Sequence, residues 1–185
     1  LRRKHGRLAT NFGEDGGLIY LVMELLSHES LGSRLKDGPL AWREALPWLG
    51  QLASALAAAH HKGVLHRDIK PDNVVFGKDG RLKLTDFGLA RDEEATTVTA
   101  EGAWLGTPIY MAPELFQGSR ASAASDQYAL GVLAYQLLAG HTPFRGDSPL
   151  ALAVQHLQNP IPPLGDEVPA ELASVFMRML DKDPE

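Results

Sequence analysis

With 185 residues, 44% of them hydrophobic, and a formal net charge of −5, the chain can bury one real core and carries no basic excess to recruit nucleic acid or acidic lipid. It has no cysteine, which excludes a disulfide framework and thiolate metal sites and fits a reducing, cytoplasmic compartment. The longest apolar runs, "LIYLVMELL" (18–26) and "YALGVLAYQLLAG" (128–140), fall short of the roughly 20 residues a membrane span needs, so no membrane contact is expected of this segment.

The opening "LRRKHGR" (1–7) reads as a solvated basic start; since the first residue is not Met, the chain is expected to belong to something longer. "GEDGG" (13–17) reads as a turn, and 18–26 after it as a buried strand, β-branched and aromatic without helical period. A lone strand leaves its edges unsatisfied, so its sheet partners are expected mostly from elsewhere, with a sticky orphan edge in their absence. Helical texture begins at Ser30. Within 42–63, Trp42, Leu46, Leu49, Leu52 and Leu56 make an apolar stripe, Pro47 and Gly50 weaken the first half, and Gly63 suits a left-handed C-cap.

Next, 73–85 reads as a hairpin of two short strands around Lys-Asp-Gly. Residues 87–114 show little periodicity, an irregular stretch of the length that is functional or disordered. "SDQYALGVLAYQLLAG" (125–140) is apolar nearly all round, the pattern of a helix at the centre of a helical domain, with Ser125 or Asp126 available as N-cap. Two amphipathic helices follow, 148–158 and 169–183, joined by the ordered connection "NPIPPLG".

The chemistry concentrates around the hairpin. Antiparallel pairing brings residue 73 beside residues 84–86, so Asn73 and Asp86 become neighbours at the open end. A carboxylate next to an amide oxygen suits Mg²⁺, which keeps several waters and takes few protein ligands. Asp68 and Lys70 lie just ahead of that end, adding a proton acceptor and a fixed positive charge. Phosphoryl transfer needs this set, because positioning and charge neutralisation do most of its work. Singly, each residue has an ordinary explanation: an aspartate in a turn, a solvated lysine beside a proline. The weight rests on the ordered combination.

"HRDIKPDN" (66–73), "DFG" (86–88) and "APE" (112–114), in that order, resemble the catalytic loop, metal loop and activation-segment end of a protein kinase. "GTPIYMAPE" (106–114) resembles the substrate-docking end of that segment, "SDQYALG" (125–131) the start of the family's central helix, and "LDKDP" (180–184) the start of its closing motif. The resemblance runs from about Phe12 onward. It implies an α+β, protein-kinase-like fold: a remnant of the small lobe and hinge over 1–26, then a mostly helical large lobe over 27–185 with a short β-hairpin and an activation segment at 86–114.

Carried over residue by residue, the resemblance implies ATP with Mg²⁺ (or Mn²⁺) as cofactors. Asp68 would orient the substrate hydroxyl, Lys70 contact the γ-phosphate, and Asn73 and Asp86 hold the metal. Met23 would be the gatekeeper, Glu24 and Leu26 would bond adenine through their backbone, Val75 would lie under the base and Ser30 near the ribose. His66, Phe87 and Gly88 would be structural, Asp126 would tether the catalytic-loop backbone, and Glu114 would await an arginine that follows "LDKDP" in the family. Lys70 and the docking-loop Thr107 resemble serine/threonine rather than tyrosine kinases, and the alanine-rich helix before the loop looks most like the bacterial branch. The partner implied is a protein with a serine or threonine acceptor, with room for a dimer that phosphorylates itself in trans.

Arg67 precedes the catalytic aspartate, and Thr96, Thr97 and Thr99 stand in the irregular segment. Phosphate on one of them would give Arg67 a bidentate partner; the alternative is threonines in a solvated loop. The family's glycine-rich loop, strand lysine and small-lobe glutamate are not found in these residues, so the segment alone is expected to bind nucleotide weakly and turn over little. Two other readings stand beside an active kinase: a pseudokinase scaffold, and a small-molecule phosphotransferase of related fold, which would lack the docking segment.

Overall fold

α-Helices are the main regular structure and two separate antiparallel hairpins supply the strands among the described residues, in a computed structural model that describes residues 9–24, 26, 29–87 and 108–184. The first hairpin pairs β1 (Ala9–Asp15) with β2 (Leu18–Met23), Asp15 opposite Leu18 and Phe12 opposite Leu21. Gly16 and Gly17 take φ of 56° and 81°, the two positive values that a type I′ turn requires. The expectation that the partners of strand 18–26 come mostly from elsewhere is therefore corrected for one edge, where β1, just upstream, pairs with it. The strand ends at Met23 and has a partner on one edge, and the expected turn over 13–17 narrows to the two glycines. Gly13 in β1 is part of the reason: the Tyr20 ring lies across it, and a Cβ there would collide with the ring.

The chain then runs alongside the second hairpin, formed by β3 (Val74–Phe76) and β4 (Leu82–Leu84) with Val74 opposite Leu84. Ser30 bridges to Val75, and the Phe76 N–H donates to the Glu29 carbonyl at 3.1 Å. Ser30 Oγ accepts the Ser33 N–H at 3.1 Å and caps α1 (Leu31–Leu35).

Helix α2 (Trp42–His60) buries Ala45, Leu49, Leu52 and Leu56, spaced four, three and four. Leu46, expected in that stripe, is 41% exposed, because one step past Ala45 turns a side chain about 100° off the buried face. The helix stops at His60, and Gly63 (φ 71°) lets the chain reverse toward the loop over 66–73.

Helix α4 (Ala123–Ala139) runs through the centre and is buried on nearly every side, with α2 and α6 (Ala170–Met179) packed against it. Its N-cap is Ser122, in a reciprocal capping box with Ser125. The sequence reading had Ser125 or Asp126 as the cap; Ser125 is instead the third helical residue of the box, which frees Asp126 to point inward. Gly131 is small where α6 ends against α4: a Cβ would sit 3.0 Å from that of Met179. Two short elements, α3 (Pro113–Phe116) and the 3-10 turn Pro108–Tyr110, lie against α5 (Pro149–Gln158). The core contains Leu52, Ile69, Val74, Leu133 and Leu137, each fully buried and each stabilising the fold by about 1.5–3 kcal/mol.

Candidate active site

The loop that links α2 to β3 has little secondary structure of its own, and α4 holds it in shape. Asp126, only 2% exposed, accepts three hydrogen bonds: from the His66 N–H and His60 Nε2 at Oδ2, and from the Arg67 N–H at Oδ1, each 2.8 Å long. A buried carboxylate with three donors is satisfied rather than costly. It holds Arg67 at φ 68°, a left-handed conformation that costs a side-chain-bearing residue on the order of 1–3 kcal/mol. His60 was not singled out from the sequence; a histidine in the last turn of a helix reads there as an ordinary polar terminus.

His66 is fully buried. Its Nδ1 accepts the Asp68 N–H at 3.3 Å, and its ring packs on Phe87 with centroids 4.5 Å apart. Burial lowers its pKa, opposed by the carboxylates of Asp126, Asp68 and Asp86 and by the Thr85 backbone. Asp68 and Asp86 thus both act on this one ring, approaching it from the loop and from the hairpin.

Beyond His66 the polar groups converge. Asp68 Oδ2 accepts from Lys70 Nζ at 2.7 Å and from Asn73 Nδ2 at 2.9 Å, and the same amide nitrogen donates to the Asp68 carbonyl at 2.7 Å. Both Nδ2 hydrogens are thereby used, which turns the amide over and leaves Oδ1 as the acceptor still available. The Asn73 carbonyl accepts from the Thr85 N–H at 2.8 Å and from Thr85 Oγ1 at 3.2 Å, so the hairpin's open end is closed one residue before Asp86. Asp86 is exposed and has φ 59°. Among the described residues it and Arg67 are the only non-glycine positions with positive φ, and such strain clusters at functional sites.

Among the described residues no group of three or more His, Asp or Glu could hold a metal by itself. The donor set nonetheless fits Mg²⁺, which takes one or two protein oxygens and fills its octahedron with water and phosphate. The Asp86 carboxylate and the Asn73 Oδ1 are the two oxygens of that kind at the hairpin mouth.

The remaining sequence candidates fall around this centre. Glu24 receives Lys83 Nζ on both carboxylate oxygens, at 2.6 and 2.8 Å, which ties the segment after β2 to β4. Leu26 and Val75 are half-buried, Val75 paired with Ser30, whose hydroxyl is engaged as the α1 cap. Glu114 Oε1 is buried with no hydrogen-bond partner among the described residues, and burial raises the carboxyl's pKa. It lines a cavity of about 370 Å³ together with Tyr128, Arg178, Met179 and Asp181. Tyr110 donates to Gln136 Oε1 at 2.6 Å, and a cleft lined by Arg67, Asp68, Ile69, Tyr110 and Met111 joins this turn to Asp68. The Met23 side chain, Gly88, Thr96, Thr97, Thr99 and Thr107 lie outside the described residues.

Residues 8–185 match the sequence pattern of the family described as protein kinase domain. The chain is 43% identical over 171 residues to serine/threonine-protein kinase PknA of Mycobacterium tuberculosis, covering 92% of this chain and 40% of that protein. It is 44% identical over 151 residues to serine/threonine-protein kinase PknL of the same organism, covering 81% and 38%. To serine/threonine-protein kinase pkn2 of Myxococcus xanthus it is 42% identical over 184 residues, covering 94% and 22%. The chain therefore spans less than half the length of these curated relatives.

Proposed function

We propose, from the premise that this chain belongs to the protein kinase family, that it forms the catalytic part of an enzyme transferring the ATP γ-phosphoryl group to serine or threonine hydroxyls of proteins. The observation that carries this reading is the double engagement of Asp68 Oδ2 by Lys70 Nζ and Asn73 Nδ2. Those contacts aim one carboxylate while leaving its second oxygen to take the acceptor's hydroxyl proton.

In the proposed reaction the acceptor oxygen bonds to the γ-phosphorus as the bond to the ADP oxygen breaks, and the hydroxyl proton passes toward Asp68. Lys70, held beside Asp68, offsets charge on the transferring group. Asn73 Oδ1 and the Asp86 carboxylate would hold Mg²⁺, which when bound neutralises the phosphates. The segment from Glu24 to Ser30, between the small-lobe remnant and the large lobe, would receive adenine through the backbone of Glu24 and Leu26.

The intact Asp68, Lys70, Asn73 and Asp86 favour catalysis over a binding-only scaffold, and the 106–114 segment favours a protein acceptor over a small molecule. Phosphate on Thr96, Thr97 or Thr99, installed in trans by a second copy, would pair with Arg67 and order the activation segment.

The test is transfer of labelled phosphate from ATP to protein in the full-length protein and in its Asp68→Asn variant. Asn keeps the shape but accepts no proton, so the rate should fall by about 10²–10⁴-fold. Equal rates in the two proteins would overturn the assignment.

A further inference from the structure

Helix α2 holds the β3–β4 hairpin through two different contacts. Trp48 meets the Phe76 ring edge-on, with centroids 5.2 Å apart, and the half-buried Gln51 accepts the Leu82 N–H at its Oε1, 3.0 Å away. The second contact joins a helix side chain to the backbone of a strand, and alternation along β4 explains why the strand needs it. The Thr85 N–H points toward β3, where the Asn73 carbonyl receives it. Leu82, three residues earlier, turns its N–H to the opposite, outer edge. Among the described residues no strand covers that edge, because the sheet has two strands only. Leu82 is buried, and a buried N–H without an acceptor costs about as much as a lost hydrogen bond. Gln51 thus stands in for a missing strand.

The two contacts constrain different things. Ring packing keeps helix and hairpin together but is non-directional and tolerates sliding along the strand. An N–H···O bond is directional and fixes one backbone atom, here four residues ahead of Asp86. The same helix ends at His60, about 14 Å further along its axis, where Nε2 meets Asp126. Asp126 is also the carboxylate that takes the His66 and Arg67 N–H groups. One helix therefore touches both halves of the site: the strand leading to Asp86 through Gln51, and the loop leading to Asp68 through His60 and Asp126.

We propose that Gln51 is a positioning residue for the metal-binding pair, its Oε1 fixing β4 along α2 so that the Asp86 carboxylate stays beside Asn73 Oδ1. The Thr85 bonds to the Asn73 carbonyl hold that pair from inside the hairpin, and Gln51 holds it from outside. Without the outer tie β4 is free to slip along the helix and carry Asp86 away from Asn73. This inference rests on the reading of Asn73 and Asp86 as Mg²⁺ ligands. The competing account, that Gln51 only satisfies the Leu82 N–H, predicts a purely local effect.

Two variants of the full-length protein separate these accounts. Gln51→Leu keeps most of the side-chain volume and removes the acceptor; Gln51→Glu keeps an acceptor oxygen. The first readout is the free Mg²⁺ needed for half-maximal transfer of labelled phosphate from saturating ATP to casein. It should rise about 2- to 10-fold in Gln51→Leu, the worth of one hydrogen bond, and return close to the wild-type value in Gln51→Glu, with the KM for casein unmoved in both. The second readout, amide exchange without metal or nucleotide, is independent of activity. In Gln51→Leu the Leu82 and Thr85 amides should both quicken, while those of His66 and Arg67, held by Asp126, stay as in wild type. Quickening confined to Leu82, or an unmoved Mg²⁺ requirement, would mean that Gln51 only satisfies one N–H, and the inference fails. A wild-type protein that transfers no phosphate, to casein or to itself, would sink the kinase reading and this inference with it; transfer with an unmoved Mg²⁺ requirement sinks the inference alone.

Discussion

Helix α4 and the β1–β2 hairpin treat their side chains in opposite ways. Along α4 nearly every residue is buried, and its inward carboxylate, Asp126, is matched by donors from His60, His66 and Arg67. On the hairpin, Leu18, Tyr20 and Val22 alternate along β2 and stand 76%, 50% and 45% exposed. The described polar ties between the end of the hairpin and the helical part are the Glu24–Lys83 ion pair and, a few residues on, the Glu29 carbonyl and the Ser30 bridge. Both regions border the proposed nucleotide site. One edge of that site is set by buried charge that tolerates little change, the other by surface contacts of low individual worth. The precision of Asp68 and Asn73 therefore originates in α4, whose Asp126 lies 60 residues from His66 in sequence, and the hairpin is the half free to adjust.

Removing the carboxylate should expose this contrast most strongly. Asp126→Ala strands the buried His66 N–H, the part-buried Arg67 N–H and a histidine, and relaxes the left-handed Arg67. The unfolding free energy, measured by urea titration, should drop by about 3–5 kcal/mol, and phosphate transfer should vanish with it. A loss under about 1 kcal/mol would mean that the loop keeps its own shape, and the difference between the two regions would collapse.

Acid should sharpen the same contrast, because the two buried histidines among the described residues, His66 and His156, both belong to the α4 side. Burial lowers both pKa values, that of His156 from 6.5 to about 4. Between those values the unfolded chain takes a proton that the native ring refuses. The contribution is thus intact above pH 6.5 and is lost as pH falls toward 4, amounting for His156 to about 3 kcal/mol across the window. Glu114, whose carboxyl pKa burial raises, works the other way: its contribution shrinks as pH rises above 4.5. Comparing wild type with His156→Phe isolates the ring, since Lys182, Tyr128 and Glu114 stay in place. Urea midpoints at pH 7, 5.5 and 4.5 should fall less steeply in the variant; parallel curves would contradict the assignment.

The same division governs what could be read from sequence. The apolar α4 run, the α2 stripe and the second hairpin announce themselves through periodicity and turn residues, and the segments from His66 to Glu114 through ordered motifs. Strand β1 does not: Ala-Thr-Asn-Phe-Gly-Glu-Asp lacks alternation, and its Gly13 makes sense only once the Tyr20 ring is seen lying over it. Asp126 was legible as a tether, but His60 was not, because its role depends on α2 ending directly beside α4.

The smallest expected effect lies at the hairpin. Lys83 and Glu24 form a two-pronged ion pair, with side chains 26% and 38% exposed. Exposed pairs of this kind are worth roughly 0.2–1 kcal/mol, so Lys83→Met should barely move the global unfolding midpoint. Its local consequence should be larger, because the pair anchors the segment after β2 at the end opposite the Ser30–Val75 bridge. Loss of that anchor unties Glu24 from β4, and amide exchange at Glu24 should quicken while exchange in α4 stays as it was. Added salt should reproduce the effect in wild type and do nothing further in the variant, since screening acts on the ion pair and leaves the backbone bridge untouched. Should α4 amides quicken in step, the two regions would be one cooperative unit, and the hairpin could not be the adjustable half.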